Sequence, residues 1–127
     1  MEIANDDDVI AARQNCRTLA AEIGFSPLDQ AMLAAVVTEL ASNILDYAGR
    51  GEMILQAIDD TGRRGISVIA SDNGPGILDL KETLQASYSV AGGLGLGLRG
   101  VKALMDSLDI ISVPGKGTTV TARKWHS

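Results

Sequence analysis

Apolar positions along this chain follow a helical period in the first third and strand-like runs in most of the rest. Val9, Ala12, Cys16, Leu19, Ala20 and Ile23 recur at helical spacing, which predicts a first helix with Asp8 as N-cap and Gly24 as its stop. Ser26-Pro27-Leu28-Asp29 reads as a second helix start: an N-cap hydroxyl, proline at the first helical position and an acid in the first turn. That helix runs to about Ala48, and Gly49 and Gly51 end it. Residues 52–58 and 65–71 are short runs of Ile, Val, Leu and Ala joined by turn formers at 59–64, which predicts a hairpin. After the turn-dense 72–76 come a short helix at 79–84 and a glycine-rich stretch at 87–100. This stretch opens a helix whose Leu98, Val101, Leu104, Met105 and Leu108 share one face. A last hairpin pairs 109–113 with 118–124 across Pro114-Gly115-Lys116-Gly117, and residues 2–4 read as a short edge strand. The pattern predicts one α+β domain over residues 1–127, an α/β sandwich whose mostly antiparallel sheet carries its helices on one face.

Composition narrows the function classes. Hydrophobic residues make up 46% of the 127 residues and aromatics only 3%, so the core is aliphatic and no base-stacking platform can be built. A net charge of −5 argues against a phosphate-backbone binder, and nucleic acid is not an expected partner. Cys16 is the sole cysteine, which excludes an intramolecular disulfide and fits a reducing compartment; its ordinary role is a small buried hydrophobe. Glu2 and Asp6-Asp7-Asp8 stand where a signal peptide would be basic, and no apolar run approaches the ~20 residues of a membrane span. The expected location is cytoplasmic, away from membranes.

Candidate chemistry lies in three places. Gly92, Gly93, Gly95, Gly97 and Gly100 lead into a helix, and a glycine loop feeding a helix N-terminus can cradle an anion with its N–H groups. Glu39 and Asn43 are one turn apart on one helix face, where a carboxylate can take a proton and an amide oxygen can ligate Mg²⁺. Such a pair in isolation is more often a solvated helix face. Asp72 closes a strand ahead of Gly74 and Gly76 and can accept a hydrogen bond from an exocyclic amine, or equally shape the loop as an Asx-turn. Gly95-Leu96-Gly97-Leu98-Arg99-Gly100 matches the dinucleotide fingerprint by letter but follows no strand of a parallel unit, and Val120 stands where that motif needs an acid. A Walker glycine-lysine-serine/threonine sequence is absent as well.

In order, Glu39 with Asn43, Asp72 with Gly74 and Gly76, Gly93 with Gly95 and Gly97, and Gly115-Lys116-Gly117-Thr118 resemble the four nucleotide-binding boxes of the gyrase, Hsp90, histidine kinase and MutL (GHKL) ATPase superfamily. Glu39-Leu40-Ala41-Ser42-Asn43-Ile44, Tyr47-Ala48-Gly49, Gly74-Pro75-Gly76-Ile77 and Gly92-Gly93-Leu94-Gly95 through Gly100-Val101-Lys102 are similar to the RsbT-type serine/threonine switch kinases within it. The resemblance implies the GHKL (Bergerat) ATPase fold, ATP and Mg²⁺. It implies Glu39 as general base, Asn43 on the metal, Asp72 on the adenine amine, Thr118 near the base, and Gly93 to Gly97 over the phosphates. The implied substrate is a serine or threonine of a STAS-domain antagonist in a stressosome-like complex, with a PP2C-type phosphatase as second partner. The alternative is a nucleotide-gated module, such as an anti-sigma factor, that sequesters a regulator. Asp46 stands where sensor histidine kinases carry a basic residue, and the only histidine is the penultimate His126, so a self-phosphorylating histidine kinase is not expected. Phosphate charge then falls to Mg²⁺, loop N–H groups and the cations Lys81, Arg99, Lys102 or Lys116.

Overall fold

A computed structural model describes residues 1–75 and 97–126. The expected helix at 79–84 and Gly76, Lys81, Gly93 and Gly95 therefore lie outside the described residues. The elements, in order, are β1 (Glu2–Ile3), α1 (Asp6–Ile23), α2 (Pro27–Ala48), β2 (Gly51–Asp60), β3 (Arg63–Asp72), α3 (Gly97–Leu104), β4 (Ser107–Val113) and β5 (Gly117–His126).

Both long helices are set by their ends. Ser26 Oγ accepts the Asp29 N–H at 3.2 Å ahead of Pro27, and Gly49, at φ +79, closes α2 by donating its N–H to Leu45 O. The start of α1 differs from expectation: Asn5, not Asp8, is the N-cap, its Oδ1 accepting the Asp8 N–H at 3.0 Å. Asp8 is displaced into the first turn, where its carboxylate takes the Ala4 N–H at 2.8 Å, an acid well placed against the positive helix end.

The sheet order is β1-β2-β3-β5-β4, with every neighbouring pair antiparallel. Strand alternation decides its faces. Met53, Val68, Ala70, Val120 and Ala122 point to one side and join Ala12, Cys16, Leu33, Val37, Leu40 and Val101 in a single core. The opposite side leaves Ile54 and Ile111 exposed, so the helices cover one face, as the pattern predicts. The β2–β3 turn is tighter than expected. Only Thr61 and Gly62 connect the strands, at φ +49 and +85, and two positive-φ residues match the twist of a two-residue hairpin.

At the other end α3 is shorter than expected, stopping at Leu104. Leu108 belongs to β4 and supports the core from the sheet. The chain leaves the helix because Asp106 is captured by β5: its N–H donates to Arg123 O at 2.9 Å and its Oδ2 accepts the Trp125 N–H at 2.7 Å.

Candidate functional site

The second half of α2 carries the candidate residues Glu39 and Asn43 between two sets of contacts. Glu39 lies mid-helix with 6% of its surface exposed, among the core residues Val36, Val37 and Leu40. A carboxylate at that depth needs a partner. It has one: the Gly97 N–H donates to Glu39 Oε1 at 2.6 Å. Gly97 opens α3 at φ +61, where the first N–H groups of a helix have no partner within it and the dipole favours a negative group. One turn along α2 from Glu39 is the half-buried Asn43, and one turn further the half-exposed Tyr47. Desolvation raises the Tyr47 phenol pKa, with the charges of Asp46 and then Glu39 adding to it. Glu39, Asn43 and Tyr47 thus form one polar stripe.

The second set is at the sheet end. Asp72 closes β3, opposite Gly51 on β2 and Thr118 on β5. It continues the alternation of Val68 and Ala70, so its side chain leaves the sheet on the helix-covered side. Its Oδ1 accepts the Gly74 N–H at 2.9 Å, so the Asx-turn is real. A carboxylate has a second oxygen, and the turn does not occupy it. Thr118 Oγ1 lies 2.9 Å from Ser112 Oγ across the β4–β5 pair. The expected Asp72, Gly74 and Thr118 are therefore neighbours, and Glu39 and Gly97 are in contact.

Glycines bring these pieces close enough. A Cβ on Gly74 would sit 2.7 Å from that of Ala48, so the loop after Asp72 lies directly on the end of α2. A Cβ on Gly117 would overlap the Asp72 carbonyl, and Gly115 donates its N–H to Pro75 O at 2.7 Å. The β4–β5 turn is therefore docked on the Asp72 loop. Gly117 was legible in the sequence as a turn residue and as part of the Gly115-Lys116-Gly117-Thr118 box; its requirement for close approach to Asp72 needs the strand register. Gly51 is similar: it does not merely follow α2 but starts β2, where a Cβ would overlap Ser71 O and lie 2.8 Å from Ile44 Cγ2. Tyr47 was legible as the next member of the i, i+4 stripe.

From Glu39 to Ala48 is roughly 13 Å along the helix axis, at ~1.5 Å per residue. One rigid element thus holds the carboxylate at Gly97 and the loop at Asp72 a fixed distance apart. A cleft of about 600 Å³ opens beside Asp72, lined by Glu2, Ala48, Arg50, Gly51, Glu52, Ser71 and Asn73. It contains neither Glu39 nor Asn43, and an exposed Arg50–Glu2 ion pair at 2.9 Å spans its wall. Of the candidate residues only Asp72 borders this cleft; Glu39 and Asn43 lie on the α2 stripe outside it. Among the described residues no three His, Cys, Asp or Glu side chains cluster to hold a metal. The donors present suit Mg²⁺ only in its common mode, with one or two protein oxygens and substrate phosphates completing the shell. Arg99, Lys102 and Lys116 are exposed.

Residues 28–126 match the family model of histidine kinase-, DNA gyrase B- and HSP90-like ATPases. The chain is 44% identical over 125 residues to the serine/threonine-protein kinase RsbT of Bacillus subtilis (strain 168), covering 98% of this chain and 94% of that protein. In structure it resembles the mycobacterial sensor histidine kinase MprB at 16% identity, with a TM-score of 0.57 over 98% of this chain and 96% of the other. The nucleotide-free catalytic domain of histidine kinase ThkA gives a TM-score of 0.54 at 14% identity, over 98% and 93% of the two chains. These two likenesses establish the fold. With the family model spanning most of the chain and RsbT matching nearly all of it, the protein belongs to the histidine kinase-, DNA gyrase B- and HSP90-like ATPases and, within them, to the RsbT-type serine/threonine kinases.

Proposed function

We propose that the protein is an ATP-dependent serine/threonine kinase of a partner-switching system. It transfers the γ-phosphoryl group to a STAS-domain antagonist and, once released, binds and activates a PP2C-type phosphatase. The observation that carries the reading is the buried Glu39 carboxylate, one turn from Asn43 and held at the N-terminus of α3. A module that only binds nucleotide has no use for an acid kept at that depth. Phosphoryl transfer, by contrast, needs positioning, charge neutralisation and an acceptor for the hydroxyl proton.

Each residue then has a task. Asp72 accepts the adenine amine while Gly74 and Gly76 keep the loop close to the base, and Thr118 borders the same end. Asn43 offers its amide oxygen to Mg²⁺, which when bound neutralises phosphate charge. Gly93, Gly95 and Gly97 give the phosphates a wall without Cβ atoms. Glu39 takes the proton of the incoming serine or threonine hydroxyl. RsbT is named a serine/threonine-protein kinase, and its near-full-length identity supports the same reaction here.

The test is incubation with Mg²⁺, labelled ATP and a STAS-domain protein, following the label into each chain. Transfer to an antagonist serine or threonine is expected. Glu39→Ala should lower it at least 100-fold, the scale of a lost general base, while ATP still binds within about threefold. Full-rate transfer by Glu39→Ala would remove Glu39 from the chemistry. Tight ATP binding without transfer to any antagonist would favour the nucleotide-gated anti-sigma or sequestering module.

A further inference from the structure

Glu39 is both deep and tethered, and the tether itself has a consequence for the reaction proposed above, on which this inference rests. A glutamate carboxylate turns freely about its last torsion, which is broad and roughly two-fold, so burial alone does not decide which oxygen faces a substrate. Here the Gly97 N–H holds Oε1 at 2.6 Å, at the short end for an N–H···O bond, the direction in which a charged acceptor shifts it. Both groups are buried, so water is a poor substitute for either.

The donor is specific to its backbone. Gly97 is the first residue of α3 and sits in the left-handed region at φ +61, where an L side chain is strained. Its N–H is one of those that a helix start leaves without an internal partner. Among the described residues no other group donates to the Glu39 carboxylate. We propose that the main-chain N–H of Gly97 is the positioning group of the general base, fixing Oε1 of Glu39 so that Oε2 is the oxygen presented to the substrate hydroxyl. Gly97 then contributes twice: its missing side chain leaves room for phosphate, and its N–H serves the carboxylate.

Replacing Gly97 by glycolate, which turns this one amide into an ester, deletes the N–H and adds no side chain. Loss of orientation of a reacting group predicts a 10- to 100-fold fall in kcat for phosphotransfer, with KM for ATP within about twofold. The same ester on a Glu39→Gln background should leave the residual transfer unchanged, because the N–H acts only through Glu39. A further fall on that background, a wild-type kcat for the ester, or a raised KM as its main effect would each overturn the proposal. A second readout needs neither the ester nor activity. In ¹⁵N-labelled protein the Gly97 amide proton should resonate far downfield and move upfield in Glu39→Gln, since a neutral acceptor makes the weaker bond. An unmoved resonance overturns the proposal too. If Glu39→Gln transfers at full rate while that resonance moves, the contact stands and the general-base reading is the part that fails.

Discussion

At the residue scale, Asp72 and Gly117 separate recognition from support. Asn at position 72 keeps an oxygen for the Gly74 N–H, bonded at 2.9 Å in this structure, but presents an NH₂ where the proposed adenine contact needs an acceptor. Asp72→Asn should therefore weaken ATP binding 10- to 100-fold, the loss of a hydrogen bond to a charged group, with little change in thermal midpoint. Calorimetric titration with ATP and a melting curve check both halves. Gly117 behaves in the reverse way. It sits at φ +127, and a Cβ there would overlap the Asp72 carbonyl. Gly117→Ala should cost about 3 kcal/mol of stability or more, because backbone strain and overlap add. Urea unfolding measures it, and a loss under 1 kcal/mol would mean that the β4–β5 turn can lift off the Asp72 loop without cost.

At the scale of elements, caps and periodicity were legible where the deciding groups are close in sequence. The Ser26-Pro27 start and the Gly24 and Gly49 stops all carry the geometry their residue types imply. The start of α1 was misplaced because Asn5 and Asp8 are both good caps, and the choice depends on which side chain reaches which N–H. Asn5→Ala should cost about 1 kcal/mol in urea unfolding, more than the same change at an exposed mid-helix position such as Gln14. The end of α3 was illegible for a different reason: Leu108 continues a helical stripe by spacing, yet the Asp106 contacts with Arg123 and Trp125 pull the chain into the sheet. A partner some 17–19 residues away leaves no local signal. As candidates, Glu39, Asn43 and Asp72 stood out only through their order with the glycine boxes, since spacing alone fits a solvated helix face and an Asx-turn as well, and the Glu39–Gly97 bond joins residues 58 apart.

At the scale of the whole molecule, aliphatic burial dominates, and α2 shows how far that goes. It is 22 residues long and its most apolar 18-residue stretch has a mean hydropathy of 1.2, long and apolar enough to match a membrane span by length and composition. The expectation that no run approaches that length does not hold for it. Yet Leu33, Val36, Val37, Leu40 and Ile44 are buried between α1 and the sheet, so this apolarity has an occupant inside the protein. Cys16 belongs to the same core at 0% exposure. Burial pushes its thiol pKa up from 9.0 to about 11, opposed only in part by the nearby Arg17 charge. Its contribution to stability is complete below pH 9, where the thiol is protonated in both folded and unfolded chains. As pH rises from 9 to 11 the unfolded chain releases the proton while the folded one still holds it, so unfolding becomes easier. At pH 10.5 this two-unit shift is worth roughly 2 kcal/mol. Other groups also titrate there, so the measurement is a difference: urea unfolding of the wild type and Cys16→Ala at pH 8 and pH 10.5. The wild type should lose roughly 2 kcal/mol more than the variant between the two conditions. Equal losses would show that the interior around Cys16 opens readily to water, and the tight packing of α1 against α2 would need revision with it.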